Sequence, residues 1–314
     1  MPPIERSRMT AASDARSQAL AAEPLRTAGP VGGFASGTLE SLRDIWAHRE
    51  LLGLLTRREI KARYKDSALG FFWSLMRPLT MLLIYYVAVG KFLGAEQVPG
   101  RSGGIPSFAV YIFTGLTAWN LFSDIALLGT ASIVGNSGLV KKVYLPREVF
   151  PLSTTGSALF NFAIQLVILV VATFVVGKPP KMANLLYLPL GFALLVAFGT
   201  ALALLLAAAN VFLRDVQYLV EISIMVLFWA SPTVYSWAQV AAHVNTTGAE
   251  IYLANPVTLA IMGFQRVFWV AGADSPVPAN LEVRLWIALA VSLVLLWLCQ
   301  RIFTRLQGNF AQEL

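Results

Sequence analysis

Few residues in this chain have the types and the spacing that catalysis or metal binding requires. The only cysteine is Cys299, and the two histidines, His48 and His243, lie far apart, which excludes zinc-finger and iron–sulfur sites and gives thiol catalysis little support. The sequence contains no Gly-x-x-x-x-Gly-Lys-Ser/Thr phosphate loop, no His-Glu-x-x-His and no Gly-x-Ser-x-Gly. The chain is therefore not expected to hydrolyse ATP by itself, and no catalytic residue or metal site is predicted.

Two charged side chains fall inside long apolar runs, where a charge is costly unless it is paired or hydrated. Arg77 and Asp124 could form a proton-coupling pair. Alternatively, Arg77 extends to the membrane surface next to a kink at Pro78, and Asp124 faces a wet cavity or a helix interface. The second interpretation is favoured because no chain of ionisable groups accompanies the acid.

Aromatic side chains gather towards the ends of these apolar runs. Trp and Tyr are ordinary anchors at a membrane surface, but a path that conducts sugars would also use them, because sugar C–H faces stack on aromatic rings. Spacing does not separate the two interpretations. The candidates for a sugar-conducting path are Phe72, Trp73, Tyr85, Tyr86, Trp119, Trp229, Tyr235, Phe268 and Trp269.

The elements that position these residues belong to a membrane protein. Of the 314 residues, 57% are hydrophobic and 13% are charged, and the mean hydropathy is +0.65, whereas soluble proteins carry about 25% charged residues. A hydrocarbon core of roughly 30 Å needs about 20 apolar residues per helix. The sequence predicts an all-α membrane protein with six transmembrane helices, at residues 69–93, 108–129, 149–176, 185–210, 216–235 and 283–303.

Lys and Arg are distributed unequally between the two sides of such a bundle. With the N-terminus inside, 17 of the 24 fall on the inner side and six on the outer side, so both termini are predicted to be cytoplasmic. The net charge of +7 follows largely from this asymmetry and from attraction to anionic lipids, and is poor evidence for nucleic-acid binding. The predicted location is the cytoplasmic (inner) membrane, with several crossings.

Three regions follow one another along the chain. Residues 1–37 are rich in Ala, Ser, Gly, Pro and Arg and are predicted to be a disordered tail. Residues 38–68 place apolar side chains at helical spacing among charges, which predicts an amphipathic helix along the inner membrane interface; packing on a soluble domain is the weaker alternative. Residues 69–314 form the membrane domain.

Within the membrane domain, residues 251–272 are apolar but too short to cross. Asn255 and Pro256 predict a helix cap followed by Pro at the first helical position. A re-entrant or interfacial segment on the outer side, buried against the bundle, would satisfy its backbone groups.

The loop between the second and third predicted spans, at about residues 136–148, contains a short helix with an apolar side. Its apolar residues and the turn that ends it are Leu139, Val140, Val143, Tyr144, Pro146, Arg147 and Glu148. Because this apolar side is exposed to the cytoplasm and lies away from lipid, we expect the helix to dock into a groove on a partner protein. The alternative is packing on the first interfacial helix.

Six segments, in this order, resemble the permease subunits of ABC type-2 polysaccharide exporters, the Wzm/TagG family. They read TRREIKARYK at 56–65, LGFFWSLMRP at 69–78, LVKKVYLPRE at 139–148, NVFLRDV at 210–216, ASPTVY at 230–235 and NPVT at 255–258. The resemblance spans residues 50–314 and leaves out the tail to residue 37. The pattern is also similar to actinobacterial members that handle galactan.

The resemblance implies a transport subunit rather than an enzyme. Two copies of the chain would pair with two copies of a separate ABC ATPase, which binds ATP and Mg²⁺, while this chain holds no cofactor. The implied substrate is a lipid-diphosphate-linked polysaccharide of the O-antigen, teichoic acid or galactan class. The segment around residues 255–269 is similar to re-entrant helices that close the outer mouth of the channel.

The resemblance also implies roles for two groups of residues near the cytoplasm. The loop at 136–148 looks like the coupling helix that docks on the ATPase, through Leu139, Val140, Val143, Tyr144, Arg147 and Glu148. The helix at 57–65 looks like a gate helix, whose cations would receive the diphosphate through charge-assisted contacts. These cations are Arg57, Arg58, Lys61, Arg63 and Lys65. For them the alternative is simple positive-inside anchoring.

Two rival functions remain open at this point. A type-2 ABC exporter of a drug or a lipid would transport without a lipid-linked glycan. A membrane-embedded glycan-modifying enzyme would need a catalytic cluster on the outer loops, where Glu250, Asp274 and Glu282 are widely spaced.

Overall fold

The computed structural model describes residues 36–64, 72–96, 105–142 and 145–314. Within these ranges the regular elements are all helices, in agreement with the predicted all-α class. The α-helices are α1 (Ser36–Ala47), α2 (Arg49–Tyr64), α3 (Phe72–Tyr85), α4 (Phe108–Gly135), α5 (Ser137–Lys142), α6 (Val149–Val175), α7 (Tyr187–Phe212), α8 (Val216–Trp229), α9 (Trp237–His243), α10 (Thr246–Leu253), α11 (Pro256–Phe268), α12 (Leu281–Leu306) and α13 (Phe310–Glu313). A π-helix (Tyr86–Phe92) continues α3, and short 3₁₀ turns precede α7 and flank α12.

Among the described residues, four segments are long and apolar enough to cross a membrane. They are Phe108–Gly135, Val149–Val175, Met182–Phe212 and Leu281–Glu313. These four coincide with the second, third, fourth and sixth predicted spans, which are thereby confirmed as helices of sufficient length and apolar character. In the bundle, α4 packs against α6 and α7, and α12 packs on the other side of α7.

The first and fifth predicted spans differ from expectation. The described part of the first is α3, with Pro78 inside it, followed by the π-helix. The fifth is shorter than predicted, because α8 ends at Trp229 and residues 230–236 form turns. Its 14 residues rise about 21 Å, less than a hydrocarbon core of roughly 30 Å. Pro232 explains the early end, since proline disfavours helical backbone in the residue before it. The total of six spans stays a prediction.

Small residues bring the central helices close together. Gly129 of α4 lies against Ala203 of α7 with no room for a Cβ atom between them, and the side chain of Ala203 is fully buried. Gly and Ala at such positions let two helix backbones approach within a membrane. The core around this contact is apolar and aromatic, with Phe122, Leu194 and Phe264 fully buried.

The predicted interfacial helix forms two helices, because α1 ends at Ala47 and α2 begins at Arg49, with a turn at His48 between them. α2 packs on the first half of α6, where Leu55 is buried and Thr56 lies against Gly156. Trp46 and Leu54 remain 69% and 62% exposed. Two large apolar side chains thus face away from the bundle, as an interfacial position requires.

α11 begins as the sequence predicts. The Asn255 side chain accepts a hydrogen bond from the Val257 N–H at 3.0 Å, and Pro256 is the first helical residue. Almost every residue of α11 is buried, against α4, α7 and α12. Burial inside the protein fits a segment that does not cross the membrane, although its re-entrant character stays a prediction.

Candidate functional site

The end of the bundle that contains α1, α2 and α5, called here the basal end, carries the predicted cations. Arg57, Arg58 and Lys61 are exposed on α2, and no carboxylate among the described residues pairs with Arg57 or Lys61. The side chain of Arg63 and the whole of Lys65 lie outside the described residues. α2 therefore presents open positive charge that is able to bind an anion.

Arg58 connects this cationic helix to the predicted coupling loop. Its guanidinium donates to Glu59 Oε1 at 3.0 Å and also to the Oδ1 of Asn136. Asn136 caps the end of α4 directly before α5, and its amide nitrogen donates to the Ser132 carbonyl at 2.8 Å. A sequence separation of 78 residues hides this contact from pattern analysis.

The apolar side of α5 is partly covered by the chain itself. Val140 is 5% exposed, and Leu139 packs in the same cluster, together with Leu55 of α2 and Phe310 of α13. Val143 and Tyr144 lie outside the described residues. Internal packing thus accounts for Val140, and the docking of a partner on this loop stays a prediction.

Glu148 is a buried acid at the start of α6. It is 3% exposed, and its Oε1 accepts a hydrogen bond from the Thr304 hydroxyl of α12 at 3.2 Å. Burial raises the pKa of its carboxyl, and Asp44 of α1 adds to the effect. The preceding Arg147 places its guanidinium over the Phe310 ring, 5.8 Å from the centroid. Both residues of this turn therefore anchor it to the C-terminal part of the chain.

A second contact between distant segments joins α1 to α12. The Thr38 hydroxyl accepts hydrogen bonds from Arg301 Nε and from Trp297 Nε1, each at 3.0 Å. Arg301 is 6% exposed, and its Nη2 has no hydrogen-bond partner among the described residues. No sequence pattern predicts the contacts of Thr38, Trp297, Arg301 and Thr304. The one signal is the charge of Arg301 near the end of an apolar run, which by itself indicates only the orientation of the helix in the membrane.

A polar ladder crosses the α4–α6 interface within the apolar part of the bundle. Asn120 Nδ2 donates to Gln165 Oε1 at 2.9 Å, and Asn161 Nδ2 donates to Asp124 Oδ2 at 3.3 Å. Each helix contributes two residues four positions apart, so both lie on one face. Asp124 thus lies at a helix interface, as the favoured interpretation proposed, while the Arg77 side chain lies outside the described residues.

The predicted aromatic candidates occupy two kinds of place. Trp119, Phe268 and Trp269 are buried within the protein, and Trp119 packs edge-on against Phe228 at 5.4 Å. Trp229 is 55% exposed. Tyr85, Tyr86 and Tyr235 are half-buried, and the side chains of Phe72 and Trp73 are outside the described residues. Among the described candidates, Trp229 and the three tyrosines therefore present the ring surface that is accessible from outside the chain.

Acidic, histidine and cysteine side chains do not gather in the described ranges. No group of three or more of them could hold a metal ion there. Glu250, one of the outer acids, forms a two-pronged ion pair with Arg284, with both N–O distances 2.8 Å. This guanidinium lowers the pKa of the Glu250 carboxyl, which does not favour a catalytic acid.

Comparison with known proteins identifies related chains over most of the length. The family described as ABC-2 type transporter matches residues 50–269. The O-antigen export system permease protein RfbA of Myxococcus xanthus is 30% identical over 87% of this chain and 98% of its own length. An RfbA protein of Klebsiella pneumoniae is 29% identical over 70% of this chain and 80% of its own. The polysialic acid transport protein KpsM of Escherichia coli is 26% identical over 55% of this chain and 65% of its own length. The resemblance predicted from the six segments is confirmed.

Proposed function

The chain belongs to the ABC-2 type transporter family, and we propose that it is the permease subunit of an ATP-driven exporter of polysaccharide. The observation that carries the proposal is the similarity to the M. xanthus O-antigen permease, which extends over 98% of that protein. The substrate is a glycan linked to a lipid diphosphate. Its class is that of O-antigen, teichoic acid or galactan.

The proposed arrangement is a multi-pass protein of the inner membrane, with the basal end in the cytoplasm. Two copies form the channel and bind two separate ATPase subunits, which hold ATP and Mg²⁺. Six spans result if α3 with its π-helix and α8 cross together with the four long helices. The excess of Lys and Arg on the basal side supports this orientation.

The cations of α2 are proposed to receive the diphosphate at the cytoplasmic entrance. Arg57 and Lys61 support this role because they are exposed and carry no ion pair in the described part of the chain. Converting both to Glu should weaken binding of a lipid diphosphate, since two attractions become repulsions. Arg49→Glu is the matched control, because Arg49 lies on the same helix with its guanidinium over Trp46. Equal binding by the double variant and the control would contradict the role.

The loop at 136–148 is proposed to transmit the movement of the ATPase. Its contacts support this role because Arg58 ties the loop to α2, and Glu148 ties it to α12. ATP binding to the partner subunits changes the relative stability of two arrangements of the bundle. Displacement of the loop then acts on the entrance and on a long helix together.

Transport in proteoliposomes tests the function. The chain is reconstituted with its ATPase partner, and a lipid-linked glycan is added with ATP or with a non-hydrolysable analogue. We expect ATP-dependent translocation, and no ATPase activity from the chain alone. Transport of a free lipid or drug without any glycan would indicate the first rival function. Chemical alteration of the glycan by the chain alone would indicate the membrane-embedded enzyme.

A further inference from the structure

A cleft lies at the end of the bundle opposite the basal end, called here the distal end. It is enclosed by the start of α4, the turn before α7, the start of α9, the end of α11 and the loop before α12. Its enclosed space is about 40 Å³ beneath a wide mouth open to the surroundings, which suits a small polar group at the end of a larger molecule rather than a whole small-molecule ligand. The residues that give it chemical character are Tyr111, Lys181, Trp237, Gln265, Arg266 and Trp269.

Two cations line this cleft, whereas Lys178, which also has no ion pair among the described residues, does not line it. Lys91 pairs with Glu96 at 2.6 Å, and Arg284 pairs with Glu250. By contrast, no carboxylate of the described residues pairs with Lys181 or Arg266. The Asn184 side chain donates to the Arg266 carbonyl at 2.9 Å, so the turn that carries Lys181 is fixed beside Arg266.

The acids nearest to the cleft in sequence are Asp274 and Glu282. Asp274 lies between two lining residues in sequence and makes an interaction of its own, whereas Glu282 is exposed on α12. Neither acid is recorded in an ion pair with Lys181 or Arg266 among the described residues. Two open cations on one cleft therefore favour an anionic ligand.

The aromatic walls of the cleft are held in place by the protein. Trp269 Nε1 donates to the Pro106 carbonyl at 2.6 Å, and the ring lies so close to Gly272 that a Cβ atom there would overlap it. Tyr111 meets Trp269 edge-on, with the centroids 4.7 Å apart, and Trp237 stacks on Tyr252 at 6.0 Å. Because these ring surfaces are already engaged, the cleft is better suited to recognition of charge than to stacking of a sugar.

We propose that this cleft binds a phosphate group carried by a lipid. Arg and Lys form strong charge-assisted contacts with phosphate oxygens. Two Trp side chains also line the cleft, and Trp is a residue type enriched at the membrane–water interface, where lipid phosphates lie. The site stands on contacts within this chain and does not require transport. Its assignment to the outer leaflet rests on the orientation proposed above.

Two lipids carry the required chemistry: an anionic phospholipid and a polyprenyl diphosphate. The test uses the full chain in phosphatidylcholine nanodiscs, in an Arg57→Gln, Arg58→Gln, Lys61→Gln background so that the cations of α2 do not contribute. Binding of radiolabelled geranyl diphosphate, dihexanoylphosphatidylglycerol and inorganic pyrophosphate is measured by equilibrium dialysis.

The Lys181→Gln, Arg266→Gln double variant should bind the lipid probes roughly 30-fold more weakly, from about five-fold per cation. Lys178→Gln is the matched control, since Lys178 is exposed near the same turn but does not line the cleft, and it should bind like the parent. Tighter binding of geranyl diphosphate assigns the site to the lipid carrier, and tighter or equal binding of phosphatidylglycerol assigns it to membrane phospholipid.

Three results would overturn the proposal. They are equal binding by the double variant and the parent, equal weakening by Lys178→Gln, and binding of inorganic pyrophosphate as tight as that of the lipid probes. Because no ATPase or transport step enters the assay, a failure of the proposed export function would leave this result unaffected.

Discussion

The contact between α2 and α6 offers a direct test of how the proposed gate helix is held. A Cβ atom at Gly156 would lie 2.9 Å from both Oγ1 and Cγ2 of Thr56, whereas ordinary contacts lie at about 3.5–4.0 Å. Rotation of the Thr56 side chain away from the added Cβ atom would break a hydrogen bond, because its hydroxyl donates to the Leu52 carbonyl at 2.8 Å. Gly156→Ala should therefore push α2 away from the bundle.

The magnitude follows from overpacking, which costs roughly 1–3 kcal/mol. The gain in helix propensity from Gly to Ala, about 1 kcal/mol, stabilises α6 itself and not the docking of α2. A helix of 16 residues is marginal without tertiary packing. Weaker docking should therefore raise the population of unfolded α2 roughly 5–150-fold over the wild type, which is the factor that corresponds to about 1–3 kcal/mol.

Limited trypsin digestion in nanodiscs measures this population. Trypsin cuts after Arg57, Arg58 and Lys61 only when α2 unwinds, and the rate follows the open population when opening is fast relative to cleavage. We expect faster cleavage in Gly156→Ala than in the wild type by that factor. The change should be confined to α2, because the spans keep their own contacts.

Two further variants make this prediction refutable. Thr56→Ala in the Gly156→Ala background removes both close atoms and leaves the former Thr56 Cβ at an ordinary 3.5 Å, so cleavage should return towards the wild-type rate. Gly53→Ala lies on α2 with no atom within 4 Å of the added Cβ and should slow cleavage through helix propensity. Equal cleavage of Gly156→Ala and wild type, or no rescue, would refute the packing argument.

Three other outcomes follow from single residues. Burial raises the pKa of the Glu148 carboxyl above its ordinary value of 4.5, so the stability that the protonated form contributes is present below pH 4.5 and is lost as the pH rises through the raised pKa. Glu148→Gln should therefore match the wild-type melting temperature near pH 4.5 and exceed it at pH 7. A difference in melting temperature that stays constant with pH would contradict this. Gly129→Ala should destabilise the α4–α7 contact by about 1–3 kcal/mol, whereas Gly135→Ala, with open space around the added Cβ, should not lower the melting temperature. Gln165→Leu should cost about 1 kcal/mol in unfolding experiments, because the Asn120 amide loses its partner, and an unchanged stability would show that the ladder is dispensable.

The long helices were predictable because their signal is local. The run at 149–176 gave a helix that ends one residue earlier, and the run at 283–303 lies within α12. The run at 108–129 continues to Gly135, since nothing in the next six residues stops a helix. The fifth span failed at its C-terminal end because an apolar composition outweighed the signal of Pro232. The π-helix after Tyr85 has no sequence signal of comparable strength.

The contacts of the candidate site were predictable only in part. Exposed cations and the Asn255 cap depend on residue types at short spacing, and both are found in the structure. The bonds of Arg58 to Asn136 and of Arg301 to Thr38 join residues 78 and 263 positions apart. No periodicity encodes such pairs, since they form only when the bundle brings its basal segments together.

The basal end combines an apolar cluster of Leu55, Val140 and Phe310 with hydrogen bonds between elements. The core is held by close apolar packing, which resists small displacements because it has few alternative arrangements. At the basal end, by contrast, Arg58, Thr38 and Glu148 each form hydrogen bonds between elements, and such bonds can exchange partners at modest net cost. In the proposed coupling, movement of the loop at 136–148 would pass through exchange of these hydrogen bonds, while the apolar cluster of Leu55, Val140 and Phe310 keeps the segments together. We therefore expect the basal hydrogen bonds to change partners before the packed spans separate.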